Sequence, residues 1–375
     1  MSSAVYDVLI VGAGIVGAAC AYQCASHGMR VAVIDKGMIG GGATAAGMGH
    51  IVVMDDSEAQ FALTHYSRQL WQQMRAELPN DVEYDECGTI WVAADEQEMG
   101  EVRRKESFYK KRGAAATAID CSTLENYEPH LRKGMGGGLL VPEDAVLYAP
   151  CAAKFFLKRA RAMGAQVDLG ATVVKIGNGE VKTFTTEFSA GIVVNAAGTW
   201  SSELTPGLNI KKRKGHLLIT DRYPGFIKHQ LVELGYLKSA HSSTADSVAF
   251  NLQPRRTGQI LIGSSRQYGA EEKSVDHEIL AAMLQRAQQY LPKLSDLSAI
   301  RAWTGFRAAT PDKLPLIGQW PEDDRLFLAT GHEGLGITTS VGTARLLVDQ
   351  IVGQASAIPV EPYLPARTFT EHTHA

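Results

Sequence analysis

Three glycines, Gly12, Gly14 and Gly17, stand in the spacing Gly-x-Gly-x-x-Gly directly after the apolar run Val8, Leu9, Ile10, Val11. The run reads as a buried strand, rich in Val and Ile with no polar alternation. Gly12 permits a tight turn, Gly14 lets backbone approach a diphosphate, and Gly17 lets the next helix pack on the sheet. That helix, expected over residues 15–27, would aim its positive N-terminus at phosphate charge. A second strand within 29–37 ends at Asp35, eighteen positions after Gly17, where an acid accepts from ribose hydroxyls. Strand, glycines, helix, strand and acid in this order point to an adenine dinucleotide. A ligand-free turn would leave Asp35 without a reason.

The segment beyond Asp35 discriminates between dinucleotides. A nicotinamide enzyme would continue into regular βα units, but residues 39–51, IGGGATAAGMGHI, are small and carry no acid, Lys or Arg. Such a segment lets backbone lie against something flat or charged. It resembles the second flavin-contacting loop of the D-amino-acid-oxidase family of FAD enzymes, the glycine and sarcosine oxidases among them. The resemblance implies that Thr44 and nearby amides hold the diphosphate, and that backbone around 47–50 faces the isoalloxazine ring. It assigns Ile15, Val16, Lys36, Ala45, Gly47, Met48 and Gly49 to the cofactor. In the middle of the chain it adds Val174, through its backbone at the adenine, and Ala197, Gly198 and Trp200 around the NAAG segment. That segment also reads as a buried strand and its turn, and the two readings do not compete.

Near the C-terminus, WTGFRAATPDKLPLIG (303–318) and LATGHEGLGITTSVGTARLLVDQI (328–351) extend the resemblance over nearly the whole chain. The second stretch is a glycine-rich loop feeding a helix expected from about residue 339. Its N–H groups and dipole would favour the negative charge of a reduced flavin. Gly331, Glu333, Gly334, Leu335, Gly336, Ile337 and Thr338 are the implied contacts. In this family the arginine of G-x-R-x-x-T-x-D, here Arg307, grips the substrate carboxylate. A guanidinium offers a bidentate fork that lysine lacks. The alternative is a structural Arg307 paired with Asp312. Asn251, Arg266 and Tyr236 fall on strands or loops that should line the cavity, though each equally suits a sheet surface. His50 would stand beside the ring through its side chain or its backbone.

The elements that position these residues imply an α/β chain: a Rossmann-like FAD-binding domain interleaved with a mostly antiparallel β-sheet substrate domain. The first takes 1–80, 141–210 and 300–375; the second takes 81–140 and 211–299. Apolar spacing predicts a helix over 61–78 and an amphipathic one over 151–164. Residues 82–95 read as paired strands around Gly88, and 95–113 as a charged helix with a solvated face. Short β-like runs between 211 and 297 surround a helix at 277–290. The tail from 359 is expected to pack poorly. No second dinucleotide turn and no paired redox cysteine motif occur, which argues against a pyridine-nucleotide disulfide reductase.

Composition narrows the class further. At 375 residues two domains are expected, and 45% apolar with 21% charged residues is ordinary for a globular protein. A net charge of −3 gives no field for nucleic acid, and no apolar run approaches the roughly 18 residues of a membrane span. Five scattered cysteines and the absence of a signal-like N-terminus indicate reduced thiols and a cytoplasmic protein. Cys20 and Cys24 would share a helix face that packs on the sheet. No metal site is indicated.

The chemistry implied by the resemblance is amine dehydrogenation: hydride leaves the α-carbon of a neutral amine as the lone pair forms the C=N bond. Orientation and an electron sink do most of the work. No Cys lies in 303–342, so FAD is expected to be non-covalent. Residues 214–243 are similar to the FAD subunits of bacterial heteromeric dehydrogenases, such as those acting on D-hydroxyproline, and to opine oxidase and hydrogen-cyanide synthase subunits. This implies a D-hydroxyproline or proline-type substrate and partner subunits, with 210–216 as a docking edge or an edge for FMN at a subunit interface. The competing reading of the same segment, and the one its lysines favour, is an exposed strand guarded against edge pairing. A self-contained glycine, sarcosine or D-amino-acid oxidase producing hydrogen peroxide stays open, as does a non-amine or tRNA-modifying FAD protein. The exact amino acid, its stereochemistry, the electron acceptor and the oligomeric state are not encoded legibly.

Overall fold

A computed structural model describes residues 5–235 and 246–368. Tyr236 lies outside the described residues. Two sheets dominate, and the chain passes between them several times. The first has the path 316–320, 323–330, 187–195, 5–11, 31–35, 166–169. Its four central pairings, from 323–330 through to 166–169, are parallel. Strands Val173–Gly177 and Glu180–Thr183 extend it from the side.

The opening strand shows why these residues fold this way. Val8 and Ile10 join a core with the helices Ile15–Ser26, Ala149–Ala162 and Gly336–Val352, while Leu9 and Val11 feed a core on the opposite face. Burial on both faces is what a parallel sheet requires, and it explains the unbroken apolar run. Cys20 and Cys24 are buried in the helix-side core as free thiols. Burial pushes the Cys24 thiol up to about 12, so it packs as a small apolar side chain.

The second sheet runs 332–333, 299–309, 211–220, 260–268, 247–254, 230–233, 89–93, 137–141, 117–120. All of its pairings are antiparallel except that of 89–93 with 230–233. Helix His277–Tyr290 covers one face through Met283, Ala287 and Tyr290, against Phe250, Leu252, Ile260 and Ile262. The other face is covered at one end by Met99, Val102 and Tyr109 of helix Glu96–Lys111, and the remainder is left for the site.

Several expectations change. Strand Ala299–Ala309 pairs within the second sheet, so these residues stand with 211–299 rather than with the C-terminal helix. Lys211–Thr220 pairs with 299–309 along its length and with 260–268 from Arg213 onward, so the strand is interior to the sheet rather than an edge, and only Lys211 and Lys212 keep an open side. Around Gly88 there is no hairpin: Asp85 bridges to Val146, and only Thr89–Ala93 enters the sheet. The charged helix, Glu96–Lys111, is not simply a solvated surface. Its Lys105 is fully buried and bound to Asp55, so removing Asp55 would strand a buried charge at a cost of about 3–5 kcal/mol, whereas Asp55 keeps Arg104 as a second partner. The tail is docked as far as residue 368. Tyr363 is buried and its hydroxyl donates to Ala59 O at 2.6 Å, while Arg367 Nε donates to Asp312 at 2.6 Å. Among the described residues no helix is long and apolar enough to cross a membrane.

Candidate active site

The glycine turn is held by close backbone contacts and by two side chains, Asp35 and Thr44. Gly12 has φ +118° and donates to Ile34 O at 2.8 Å. A Cβ there would stand 2.5 Å from Ala196 O, and one on Gly17 would stand 2.0 Å from Gly12 O. These two glycines therefore bring helix Ile15–Ser26 and the 196–198 segment against the strand end. Gly17 does not itself reach the cavity. Asp35 closes the turn from the side, accepting from Ala13 N at 2.6 Å and Gly37 N at 2.7 Å. A carboxylate accepts at about four positions, so capacity remains for a ribose.

A cavity of about 930 Å³ runs from this turn to the free face of the second sheet. It stands near the upper end of ligand cavities, about 300–1,000 Å³. Gly12, Gly14, Ile15, Val16, Asp35, Lys36, Thr44, Ala45, Gly47, Met48, Ala197, Gly198 and Trp200 line its first part. Gly331, Glu333, Gly334, Leu335, Gly336 and Ile337 line it from the C-terminal loop, and Arg307, Asn251, Arg266 and His50 line the remainder. Four expected contacts lie elsewhere. Gly49 packs on Leu147, whose carbonyl oxygen an added Cβ would meet at 2.0 Å. Val174 is 45% exposed and its neighbour Val173 faces the cavity instead. Thr338 is buried behind the loop, where its hydroxyl donates to His50 O at 2.9 Å and its carbonyl accepts from Trp71 Nε1 at 3.0 Å. Gly17 is the fourth.

Several helices begin at side-chain caps; helix Ala149–Ala162 has Pro150 in its first turn instead, and two uncapped long helices point at the cavity. The helices starting at Glu58, Glu96, Cys121 and His277 carry Ser57, Asp95, Asp120 and Asp276 as side-chain caps, each worth about 1 kcal/mol. Helices Ile15–Ser26 and Gly336–Val352 begin at Gly14 and Leu335 with no side-chain cap, and both ends open on the cavity. Their first N–H groups and dipoles suit anionic atoms. Thr44 Oγ1 accepts from Ile15 N at 3.0 Å, which leaves its hydroxyl hydrogen to donate to a phosphate oxygen. Two uncapped helix N-termini, a glycine cradle and a ribose acid fit FAD.

Arg307 reaches the cavity from strand Ala299–Ala309. Its Nη1 donates to Ser265 O at 3.0 Å. The guanidinium lies over Gly215 on the neighbouring strand, where a Cβ would stand 2.5 Å from Nη1. Ser265 is itself fixed, since His216 N and Nδ1 both reach Ser265 Oγ at 2.9 Å. Asp276 N donates to His216 Nε2 at 2.9 Å, so the ring proton is on Nδ1. Sequence reasoning missed Gly215, His216 and Ser265. A lone glycine inside a strand marks a close approach, and Gly215 carried that signal. Arg213 and Glu333 form a further ion pair on the cavity wall, with Glu333 in the left-handed region at φ +55°.

His50 Nε2 donates to Gly334 O at 3.1 Å and steadies the glycine loop. Burial, reinforced by the charge of Arg307, lowers its pKa to about 4, so it is a neutral donor at pH 7. His332, also buried, is lowered to about 3. Below pH 6.5 the unfolded chain binds protons at both rings that the folded chain refuses, so stability falls from there toward pH 4. Burial raises Asp144 to about 6, which gains stability as pH falls through that value, yet one carboxyl offsets only one of the two histidines. The unfolding midpoint should therefore drop between pH 7 and 4.5 in a calorimetric scan. His332→Gln should flatten that drop.

The description "DAO: FAD dependent oxidoreductase" matches residues 7–350, and the chain belongs to this family. It is an FAD-dependent oxidoreductase whose relatives act on amino acids or amines. The glycine oxidase of Geobacillus kaustophilus is 27% identical over 374 residues, covering 96% of each chain. The crystal structure of that enzyme superposes with a TM-score of 0.86 at 26% identity, over 96% of this chain and 98% of the other. The hydrogen cyanide synthase subunit HcnC of Pseudomonas aeruginosa is 25% identical over 96% of each chain. An L-proline dehydrogenase from P. horikoshii shares the fold, with a TM-score of 0.86 at 23% identity and 98% coverage of both chains.

Proposed function

We propose that the chain is an amine dehydrogenase that oxidises the C–N bond of a small amino acid to its imine, with a secondary amine of the proline or hydroxyproline type as substrate. The observation that carries this reading is Arg307: a guanidinium turned into the cavity, backed by Ser265 O and seated over Gly215. Held in this way it offers a carboxylate a two-point grip that fixes the α-carbon. FAD, when bound, supplies the acceptor for the hydride that leaves that carbon. Gly12, Gly14, Thr44 and the first turn of Ile15–Ser26 would hold its diphosphate, and Asp35 its ribose. Gly334, Leu335, Gly336 and Ile337 would polarise the far rim of its ring system. None of the five cysteines lines the cavity, which supports non-covalent binding. The chain's own residues orient the amine and exclude water, while neutral His50 keeps the loop in place.

Anaerobic addition of proline, hydroxyproline, glycine, sarcosine and D-alanine to the yellow protein tests this. Bleaching by a proline-type amine is expected; bleaching by none of them would sink the reading in favour of a non-amine or tRNA-modifying FAD protein. The relative named glycine oxidase favours a second reading, a self-contained oxidase making hydrogen peroxide. Oxygen uptake by the purified chain separates the two. The relative named as a synthase subunit supports partner subunits, and the free, scattered cysteines support a cytoplasmic setting. Gly215→Ala should raise the apparent substrate Kd about tenfold. The group displaced is the end of a long side chain, so the unfolding midpoint should hardly move.

A further inference from the structure

We propose that Trp91, Gln230 and Asn251 form a second substrate subsite that recognises a hydroxyl group on the amino acid anchored by Arg307. The inference rests on the amine reading and narrows its substrate class. Val232 pairs with Trp91 on one side and with Asn251 on the other, so 91, 232 and 251 form one row across three strands. Directly opposed residues share a face, and Gln230 lies two residues from Val232 on that same face. All four line the cavity.

Three atoms in this row are unsatisfied. Trp91, Gln230 and Asn251 are only 2%, 3% and 7% exposed, yet Trp91 Nε1, Gln230 Oε1 and Asn251 Oδ1 have no hydrogen-bond partner in the protein. Buried polar groups are nearly always paired, so three orphans on residues that line one cavity mark a place where a ligand completes the set. The position is right for a substrate. Asn251 opposes Gly263, where an added Cβ would stand 3.1 Å from Met48 Sδ, in the loop expected to face the flavin. Trp91 is also held rigidly: Lys105 Nζ lies 4.8 Å from its ring centroid and is itself bound to Asp55.

One donor and two carbonyl acceptors select the chemistry. A hydroxyl accepts from the indole N–H and donates to an amide oxygen. A methylene would leave all three atoms unpaired, and a carboxylate, which only accepts, would be met only if the amide NH2 groups turned toward it. A site that hydrogen-bonds a hydroxyl discriminates strongly against the analogue lacking it.

The test uses the purified holoprotein with proline, the stereoisomers of 4-hydroxyproline, and iminodiacetate as a dicarboxylic amine. Equilibrium binding is followed by calorimetry, and flavin bleaching is followed separately under anaerobic conditions. At least one hydroxylated isomer should bind about tenfold or more tightly than its deoxy counterpart. Trp91→Phe, which removes the indole N–H while keeping an aromatic ring, and Asn251→Leu should each shrink that ratio toward one. A general packing defect would weaken both ligands alike and leave the ratio standing. Equal binding of proline and hydroxyproline, preference for iminodiacetate, or no binding by any of them would overturn the subsite. Hydroxyl-selective binding without bleaching would keep the subsite and sink the amine-oxidising reading; bleaching without selectivity would do the reverse.

Discussion

Arg307→Lys should raise the apparent Kd for the amino-acid substrate about 100-fold and slow the limiting rate of flavin reduction about tenfold, with flavin content unchanged. The magnitudes reflect what lysine loses. A guanidinium meets both carboxylate oxygens with parallel N–H donors, and such charge-assisted pairs are the strong class of hydrogen bond. Lysine keeps the charge as a point and surrenders the fixed angle, so the α-carbon is free to rotate away from the productive pose. The pocket is shaped for the fork: Gly215 leaves room for its face, and Ser265 O takes one N–H. A structural pair with Asp312 is the competing role, but that carboxylate is engaged by Arg367 at 2.6 Å and by Leu314 N at 3.1 Å. Stopped-flow reduction over a range of substrate concentrations separates affinity from rate. Wild-type affinity in the lysine variant would remove Arg307 from substrate binding and return it to the scaffold.

The sequence was most legible where chemistry constrains backbone. Gly12, Gly17 and Asp35 were readable because a tight turn and a ribose acid admit few residue types, and the turn is built as those types required. Helix His277–Tyr290 was bounded correctly because its apolar spacing is undisturbed and Asp276 caps it. Face assignments were less secure. Strand side chains alternate, and two adjacent valines do not declare which faces inward: Val173 lines the cavity while the side chain of Val174 is exposed. Long-range burial left even less trace. Lys105 looks like any lysine in a charged helix until Asp55 arrives from fifty residues upstream. Strand Ala299–Ala309 sits beside segments of the first domain in sequence but hydrogen-bonds to 211–220, and only pairing partners decide such a boundary. The support of Arg307 was hidden for the same reason, since Gly215, His216 and Ser265 acquire meaning only when three strands are laid side by side.

Gly12→Ala should yield protein that purifies without yellow colour and regains little of it when FAD is supplied. Two costs fall on one methyl group. At φ +118° an L side chain is strained by about 1–3 kcal/mol. The added Cβ also meets Ala196 O at 2.5 Å, a backbone atom that cannot swing aside as a side chain would. Relief requires the 196–198 segment or the strand end to retreat, and both line the cavity where the diphosphate would lie. Gly28→Ala is the matched control. Its φ of +75° also holds an L side chain in the left-handed region, though less severely, but an added Cβ has nothing within 4 Å and the residue does not line the cavity. The control should lose some stability and keep its flavin. If both variants stay yellow with the same FAD Kd, close backbone approach at Gly12 is not what admits the cofactor. If both lose it equally, local strain alone explains the loss. Only loss confined to Gly12→Ala ties flavin binding to the contact between the first strand's end and residue 196.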